Sequence, residues 1–303
     1  MSFSKLLGTL RDAQDILRHT KSPPEVLRAL VPALSRPIVL NDGDRTPSGV
    51  TPVELAERLA RLQRRLEAEV LDAAGRADYR RLSRSDTFAE LGATSAALAH
   101  VHLALEGDAE RIAFWVNLYN ILALHGVVAL GIEHSVMEKP SFFGRVAYRV
   151  AGHVLTLDDI ENGVLRRSAP HPVTGKPPFG PADPRLALCP RQVDPRIHAA
   201  LVCAARSCPP IALYDAAHLD EQLDAACAGF VAQGVALDAG ARVVRLPLVF
   251  RWYAADFGGE DGVRAFVLRH APEDRRAALA QAFAEGHALA YHRYDWRLNA
   301  SDA

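Results

Sequence analysis

The chain holds few of the residues that staple, anchor or recruit. Four cysteines in 303 residues are too few for a disulfide scaffold at this length. The expectation is reduced thiols in a cytoplasmic protein. No stretch approaches the roughly 18 uninterrupted apolar residues of a membrane span. Met1-Ser2-Phe3-Ser4-Lys5-Leu6-Leu7 lacks the long apolar run of a secretory signal. Net charge is −1, so no global field draws in nucleic acid or an anionic membrane. Thr174-Gly175-Lys176 is not a phosphate-binding loop, because the glycine spacing and the Lys-Ser/Thr pair are absent. What is present is a hydrophobic share of 49% and a charged share of 23%, the balance of a soluble globular protein. The length suits one large domain with an appendage.

The first third reads as helices. Phe3, Leu6, Leu7, Leu10, Ile16 and Leu17 follow helical spacing. Ser22-Pro23-Pro24-Glu25 starts a second helix before Val26, Leu27, Leu30, Val31 and Leu34. Residues 37–50 carry loop chemistry. Thr51-Pro52-Val53-Glu54 is a capping box that opens a helix through Leu55, Leu59, Leu62, Leu66 and Val70. These stripes either pack on the main domain or recruit a protein partner.

From about Tyr79 the texture changes. Residues 111–130 are apolar almost all round, as in a helix at the centre of a fold. Asn117 and Asn120 share a face of it. Each either ties off backbone groups of a neighbouring loop or orients a catalytic imidazole. Val146, Tyr148 and Val150, then His153, Leu155 and Leu157, alternate as a hairpin around Ala151-Gly152. Thr156 caps the next helix with Asp159 as its partner. Asp158 and Asp159 suit a first helical turn, whereas Glu161 falls beyond the cap and is a site candidate. Eight prolines between Pro170 and Pro195 exclude regular structure, and the loop reads as a wall of a site.

That loop leads into Asp194-Pro195-Arg196-Ile197-His198-Ala199-Ala200-Leu201-Val202-Cys203-Ala204-Ala205-Arg206-Ser207-Cys208-Pro209-Pro210. Ile197–Cys203 reads as a buried strand. Period two then sets His198 and Cys203 on opposite faces and leaves Cys208, on a stiff turn, to fold back towards His198. Arg206 favours a thiolate there. Competing readings are a small buried hydrophobe for Cys203 or Cys208, a satisfied core histidine for His198, and a zinc site of Cys189, His198, Cys203 and Cys208 whose spacings fit no paired-ligand pattern. A Cys203–Cys208 disulfide is out of keeping with a reducing compartment. Leu219–Val231 reads as a helix, Arg242–Phe250 as strand-like, and helices fill 262–285. The tail Tyr291–Asn299 docks, with Asp295 as a turn cap.

Five ordered motifs now support a resemblance. Arg111–Asn120, Leu157–Arg166, Asp194–Pro210, Trp252-Tyr253 with Asp256-Phe257, and Tyr294–Asn299 together resemble the "domain of unknown function 547" family over roughly residues 79–299. The resemblance implies a shared Asn/Glu/His/Cys set, here Asn117, Glu161, His198, Cys203 and Cys208. It supplies no reaction. Many bacterial members are exported, and members often carry Asn where this chain has Val202. The expected fold is α+β: mainly helical with a small central antiparallel or mixed sheet, papain- or transglutaminase-like as the candidate topology. Residues 1–78 form an N-terminal helical extension, and 79–303 the domain that carries the site.

The leading functional expectation is a cysteine-dependent acyl-transfer enzyme or amide/ester hydrolase, acting on a small-molecule or peptide substrate. Cys208 is the nucleophile, His198 the base, and Asn117 or Glu161 the orienting group. Papain-like enzymes place Cys before His, the reverse of the order here. No cofactor or metal is expected. The alternatives are a binding or scaffold module with a buried polar network, and a metal-dependent hydrolase.

Overall fold

A two-residue turn organises the first sheet. Ala151 and Gly152 both adopt positive φ, 48° and 80°, the requirement of a tight hairpin turn whose twist matches its strands. The computed structural model describes residues 36–42, 52–72, 75–103 and 105–301. Its main elements are β1 (Ile38–Val39), α1 (Pro52–Val70), α2 (Asp86–Ser95), α3 (Asp108–Ala129), β2 (Val146–Val150), β3 (His153–Thr156), α4 (Leu219–Gly234), β4 (Ala236–Asp238), β5 (Val243–Leu246), α5 (Gly259–His270), α6 (Glu273–Ala284) and β6 (Ala288–Tyr291). The class is α+β, as the patterning implies. The strands form two small mixed sheets where one central sheet is expected. In the first, β2 pairs antiparallel with β3, with Tyr148 opposite Leu155, and parallel with β1. In the second, β5 pairs antiparallel with β4 and parallel with β6.

Helix α3 is the axis of the larger core. Trp115, Leu118, Tyr119, Ile121 and Leu122 are buried on several of its sides. By length and composition it is apolar enough to cross a membrane, yet most of its apolar stretch is covered by protein. It is apolar all round because neighbours surround it. The α1 stripe of Leu55, Leu59, Leu66 and Val70 joins the same core. Each such side chain contributes about 1.5–3 kcal/mol on burial. So residues 52–70, within the expected extension, share the core of the site-bearing region. The helices expected at 3–17 and 22–34, and Thr51 of the capping box, lie outside the described residues.

A second core of Val231, Val244, Leu246, Phe250, Val263 and Val267 sits between α4, α5 and the second sheet. Ala205, Leu248 and Tyr294 form a smaller cluster, against which Cys203, Cys208, Trp252 and Trp296 pack. The candidate site lies there.

Residues 197–203 are buried as expected but are not a strand. Pro195–Ala199 is a 3₁₀ turn, capped by the Asp194 side chain, which accepts the Arg196 N–H at 2.9 Å. An Asp cap followed by Pro at the first helical position is a helix-start signal, and it outweighs the apolar run. Among the described residues, 200–203 past the turn pair with no strand. Asn120 takes that place: its amide donates to the Ala200 carbonyl at 3.1 Å and accepts the Val202 N–H at 2.8 Å. A side-chain amide presents the same donor and acceptor as a peptide group, so the buried backbone is satisfied without a ladder.

Candidate functional site

The two cysteines of the central motif lie together. Residue Ala204 has φ of 67°, a left-handed conformation that costs a non-glycine residue about 1 kcal/mol, and it turns the chain sharply after Cys203. The Cys208 N–H then donates to the Ala205 carbonyl at 3.0 Å. The C-terminal tail holds this loop. Arg206 N–H donates to the Arg297 carbonyl at 2.8 Å, and Asn299 N–H to the Ala204 carbonyl at 2.9 Å. Asp295 N–H donates to Ser207 Oγ at 2.8 Å, while the Asp295 carboxylate caps the turn at Arg297. The aromatic tail docks as expected, and this is what it docks on.

Within the loop the Cys203 and Cys208 sulfurs stand 3.0 Å apart. Cys208 Sγ also accepts the Cys203 N–H at 3.2 Å, and Tyr294 Oη lies 3.3 Å from each sulfur. Burial opposes charge on Cys208. Hydrogen bonds from the Cys203 thiol, from Tyr294 and from the backbone outweigh it and hold Cys208 below the usual thiol value. Cys203, bonded to that sulfur and buried beside it, is pushed far up. The pair therefore carries one easily lost proton and one that is tightly held.

His198 is fixed separately. Its Nε2 lies 2.8 Å from Asp256 Oδ2. Asp256 also receives two bonds from Arg166, at 2.5 and 2.9 Å. The Arg166, His198 and Asp256 side chains are 3%, 2% and 5% exposed, so the network is nearly dry. Burial raises the Asp256 pKa, but His198 and Arg166 bring it down to about 2. An ionised Asp256 accepts, so the Nε2 hydrogen lies in that bond and Nδ1 is left outside it. Tyr253 stacks on the imidazole at 4.0 Å and 19°, and Arg166 lies 4.8 Å from the same phenol ring.

Glu161 comes from a π-helical turn, Asp159–Leu165. The reciprocal Thr156–Asp159 cap starts it, with Asp159 N–H donating to Thr156 Oγ1 at 3.0 Å and Thr156 N–H to Asp159 Oδ2 at 3.0 Å. The wider π turn, closed by Arg166 N–H to the Glu161 carbonyl, is a form often found at functional positions. It sends Glu161 to Tyr119 Oη at 3.1 Å and Tyr253 Oη at 2.5 Å. Both phenols are pushed up by burial and by the Glu161 charge, so they donate.

Glu161, His198 and Cys203 line one cavity of about 160 Å³. Trp252, Tyr294 and Trp296 line it too, and His171, Pro172 and Val173 bring in the proline-rich loop, which is thus a wall of the site as expected. That loop is not wholly irregular: Pro184–Leu188 is a 3₁₀ turn capped by Asp183. Cys208 lines a different cavity, about 640 Å³, with Arg206, His292 and Arg293. Tyr294 belongs to both walls.

The structure thus brings Glu161, His198 and Cys203 together and leaves the others apart. Asn117 donates to the Tyr214 carbonyl at 2.7 Å and accepts its N–H at 3.0 Å, a backbone-tying role. Asp256, and neither Asn117 nor Glu161, is bonded to His198. The expected separation of Cys203 from Cys208 fails because it rests on strand parity and no strand forms. Cys189 donates to the Gly163 carbonyl at 3.5 Å, away from the thiol pair, and among the described residues no group of three His, Cys, Asp or Glu side chains is placed to hold a metal. Asp256 stands in the quoted Trp252–Phe257 motif. A carboxylate amid aromatics needs a buried partner, and that is the signal that marks it.

No curated protein and no solved structure matches the chain. Residues 104–231 match the family model described as "Protein of unknown function, DUF547". The matched stretch includes Glu161, His198, Cys203 and Cys208, while Tyr253, Asp256 and Tyr294 lie beyond it. Over residues 104–231 the chain is thus similar to the DUF547 family, the same family that its ordered motifs resemble.

Proposed function

We propose that this protein is a cysteine-dependent acyl-transfer enzyme or amide/ester hydrolase that works in the smaller cavity. One observation carries the reading: Cys203 and the Asp256-held imidazole of His198 line the same cavity. Cys208 is the sulfur that best holds charge, and Cys203 is the sulfur the substrate meets there. The proton between them passes from Cys203 to Cys208, and the Cys203 thiolate attacks the acyl carbon. A C–S bond forms, the C–N or C–O bond breaks, and the leaving group takes the proton from Cys208. Water or a second nucleophile, deprotonated at His198 Nδ1, then attacks the thioester. The imidazole returns that proton to the freed thiol pair, and the resting state is restored. Asp256 supports the imidazolium in between, the part a third group plays in other triads.

The test is acyl trapping. Wild type and H198A are incubated with p-nitrophenyl acyl esters and digested for mass spectrometry. The expected result is a thioester on Cys203 that accumulates in H198A and is missing in C203S. No adduct on Cys203, with both loop thiols alkylated no faster than Cys227, would sink the proposal. One observation favours a second reading, a binding module without catalysis. Among the described residues neither thiol is hydrogen-bonded to His198, so the two meet only through a bound molecule.

A further inference from the structure

The smaller cavity has an unusual lining for a site of its size. Its carboxylate, Glu161, is answered by two phenol hydroxyls, and among the described residues no Lys, Arg or His nitrogen pairs with it. The nearby cation Arg166 is committed to Asp256. Asp158, also in the lining, has His171 at 3.6 Å. Six of the sixteen lining residues are Phe, Tyr or Trp. Trp252 packs against Tyr294 at 5.1 Å and against Trp296 at 5.8 Å, Tyr294 against Trp296 at 4.5 Å, and Phe143 against Trp296 at 6.2 Å.

Rings around a carboxylate favour one ligand chemistry. The negative faces of Trp and Tyr attract a desolvated cation, and a carboxylate in a partly dry site prefers a charged donor. An anion is disfavoured by Glu161 and Asp158. A neutral apolar group would leave the carboxylate without a charged partner. At about 160 Å³ the space is below the roughly 300–1,000 Å³ of a whole-ligand pocket, so it takes one end of a molecule.

We propose that this cavity binds an alkylammonium group, the cationic end of the substrate, against Glu161 and the Trp252–Tyr294–Trp296 rings. That the bound molecule is a substrate rests on the acyl-transfer reading; the cage itself does not. Bound there, the cationic end leaves the rest of the molecule to run past Cys203 and His198.

Two of the three tryptophans line the cavity, while Trp115 lies in the core, so fluorescence reports on it directly. The full chain is titrated with n-butylammonium and with n-butanol, equal in length and differing in charge. The expected result is at least tenfold tighter binding of the cation. E161Q should reduce that preference to within about twofold, and W252L should weaken the cation several-fold with Glu161 intact. R293A, which alters only the lining of the other cavity, should keep the wild-type preference. Equal binding of the two probes by wild type, or an unchanged preference in E161Q, overturns the proposal. Cation preference without an acyl adduct on Cys203 supports the cage and removes the enzyme reading. An adduct without cation preference does the reverse.

Discussion

Two cavities meet at one pair of sulfurs, and their walls are opposite in charge. On the Cys203 side are Glu161, Asp158 and a set of aromatic rings. On the Cys208 side the cavity is about four times larger, Arg206, His292 and Arg293 line it, and no carboxylate is among its described lining residues. Among the described lining residues Tyr294 is common to both, and the two thiols meet beside it. The difference shows that the loop after Ala204 is a partition: it presents one sulfur to an acidic aromatic chamber and the other to a basic one. The smaller side also rests on the buried Arg166–Asp256–His198 network, whereas the basic residues of the larger side are surface groups.

That contrast in support is the easiest to break. In D256A, Arg166 and His198 are left buried without their anion. Stranding a buried charge costs about 3–5 kcal/mol, so D256A should lose most of its stability in urea unfolding. R293A, on the exposed rim of the larger cavity, should stay within about 0.5 kcal/mol of wild type. Equal losses would show that the two sides are supported alike.

Acid should erode the smaller side first. Asp256 falls from 3.8 to about 2 on folding. The unfolded chain therefore takes up its proton at a higher pH than the folded protein does. The stabilisation is complete above about pH 4 and is lost as pH falls towards 2, amounting to about 2 kcal/mol. Unfolding free energies measured along that range should decline in wild type beyond what D256N shows. Parallel curves would mean that Asp256 is not held by charge.

These residues also mark what was legible in the chain. The hairpin at Ala151-Gly152 was readable because alternation and turn chemistry agree within a dozen residues. The α3 helix was readable because its apolarity runs all round, and the α1 stripe because its period is clean. Asn120 was readable only as a choice between two roles. Ile197–Cys203 reads as a strand only where burial implies one: an apolar run reports that a segment is inside, and its conformation depends on who satisfies its backbone. Here the local Asp194-Pro195 cap and the distant Asn120 decide it. The pairing of His198 with Asp256 spans 58 residues and leaves no periodic trace. Glu161 was legible as an acidic residue past the cap, but its phenol partners were not.

Tyr294 tests whether the partition matters to the thiols. Its hydroxyl is 3.3 Å from each sulfur. Removing one hydrogen bond to a charged group costs about 1.5 kcal/mol, close to one pH unit. In Y294F the pH dependence of iodoacetamide labelling at Cys208 should move up by about that much, with the aromatic packing retained. An unmoved profile would mean that the backbone N–H and Cys203 alone hold the thiolate.

The smallest effect probes the charge contrast itself. Iodoacetate and iodoacetamide differ mainly in charge, so their rate ratio at a given sulfur reads the local potential. Near surface charges such steering amounts to a few-fold at low salt and is screened as the Debye length shrinks to about 3 Å at 1 M. Cys208, approached past Arg206 and Arg293, should favour iodoacetate relative to Cys203, approached past Glu161 and Asp158. Peptide-resolved mass spectrometry of singly labelled protein gives both ratios in one sample. E161Q should raise the ratio at Cys203 and leave that at Cys208 unchanged, and high salt should bring the two together. Equal ratios at low salt would mean that both sulfurs are reached from one side, and the loop would then not divide the two chambers.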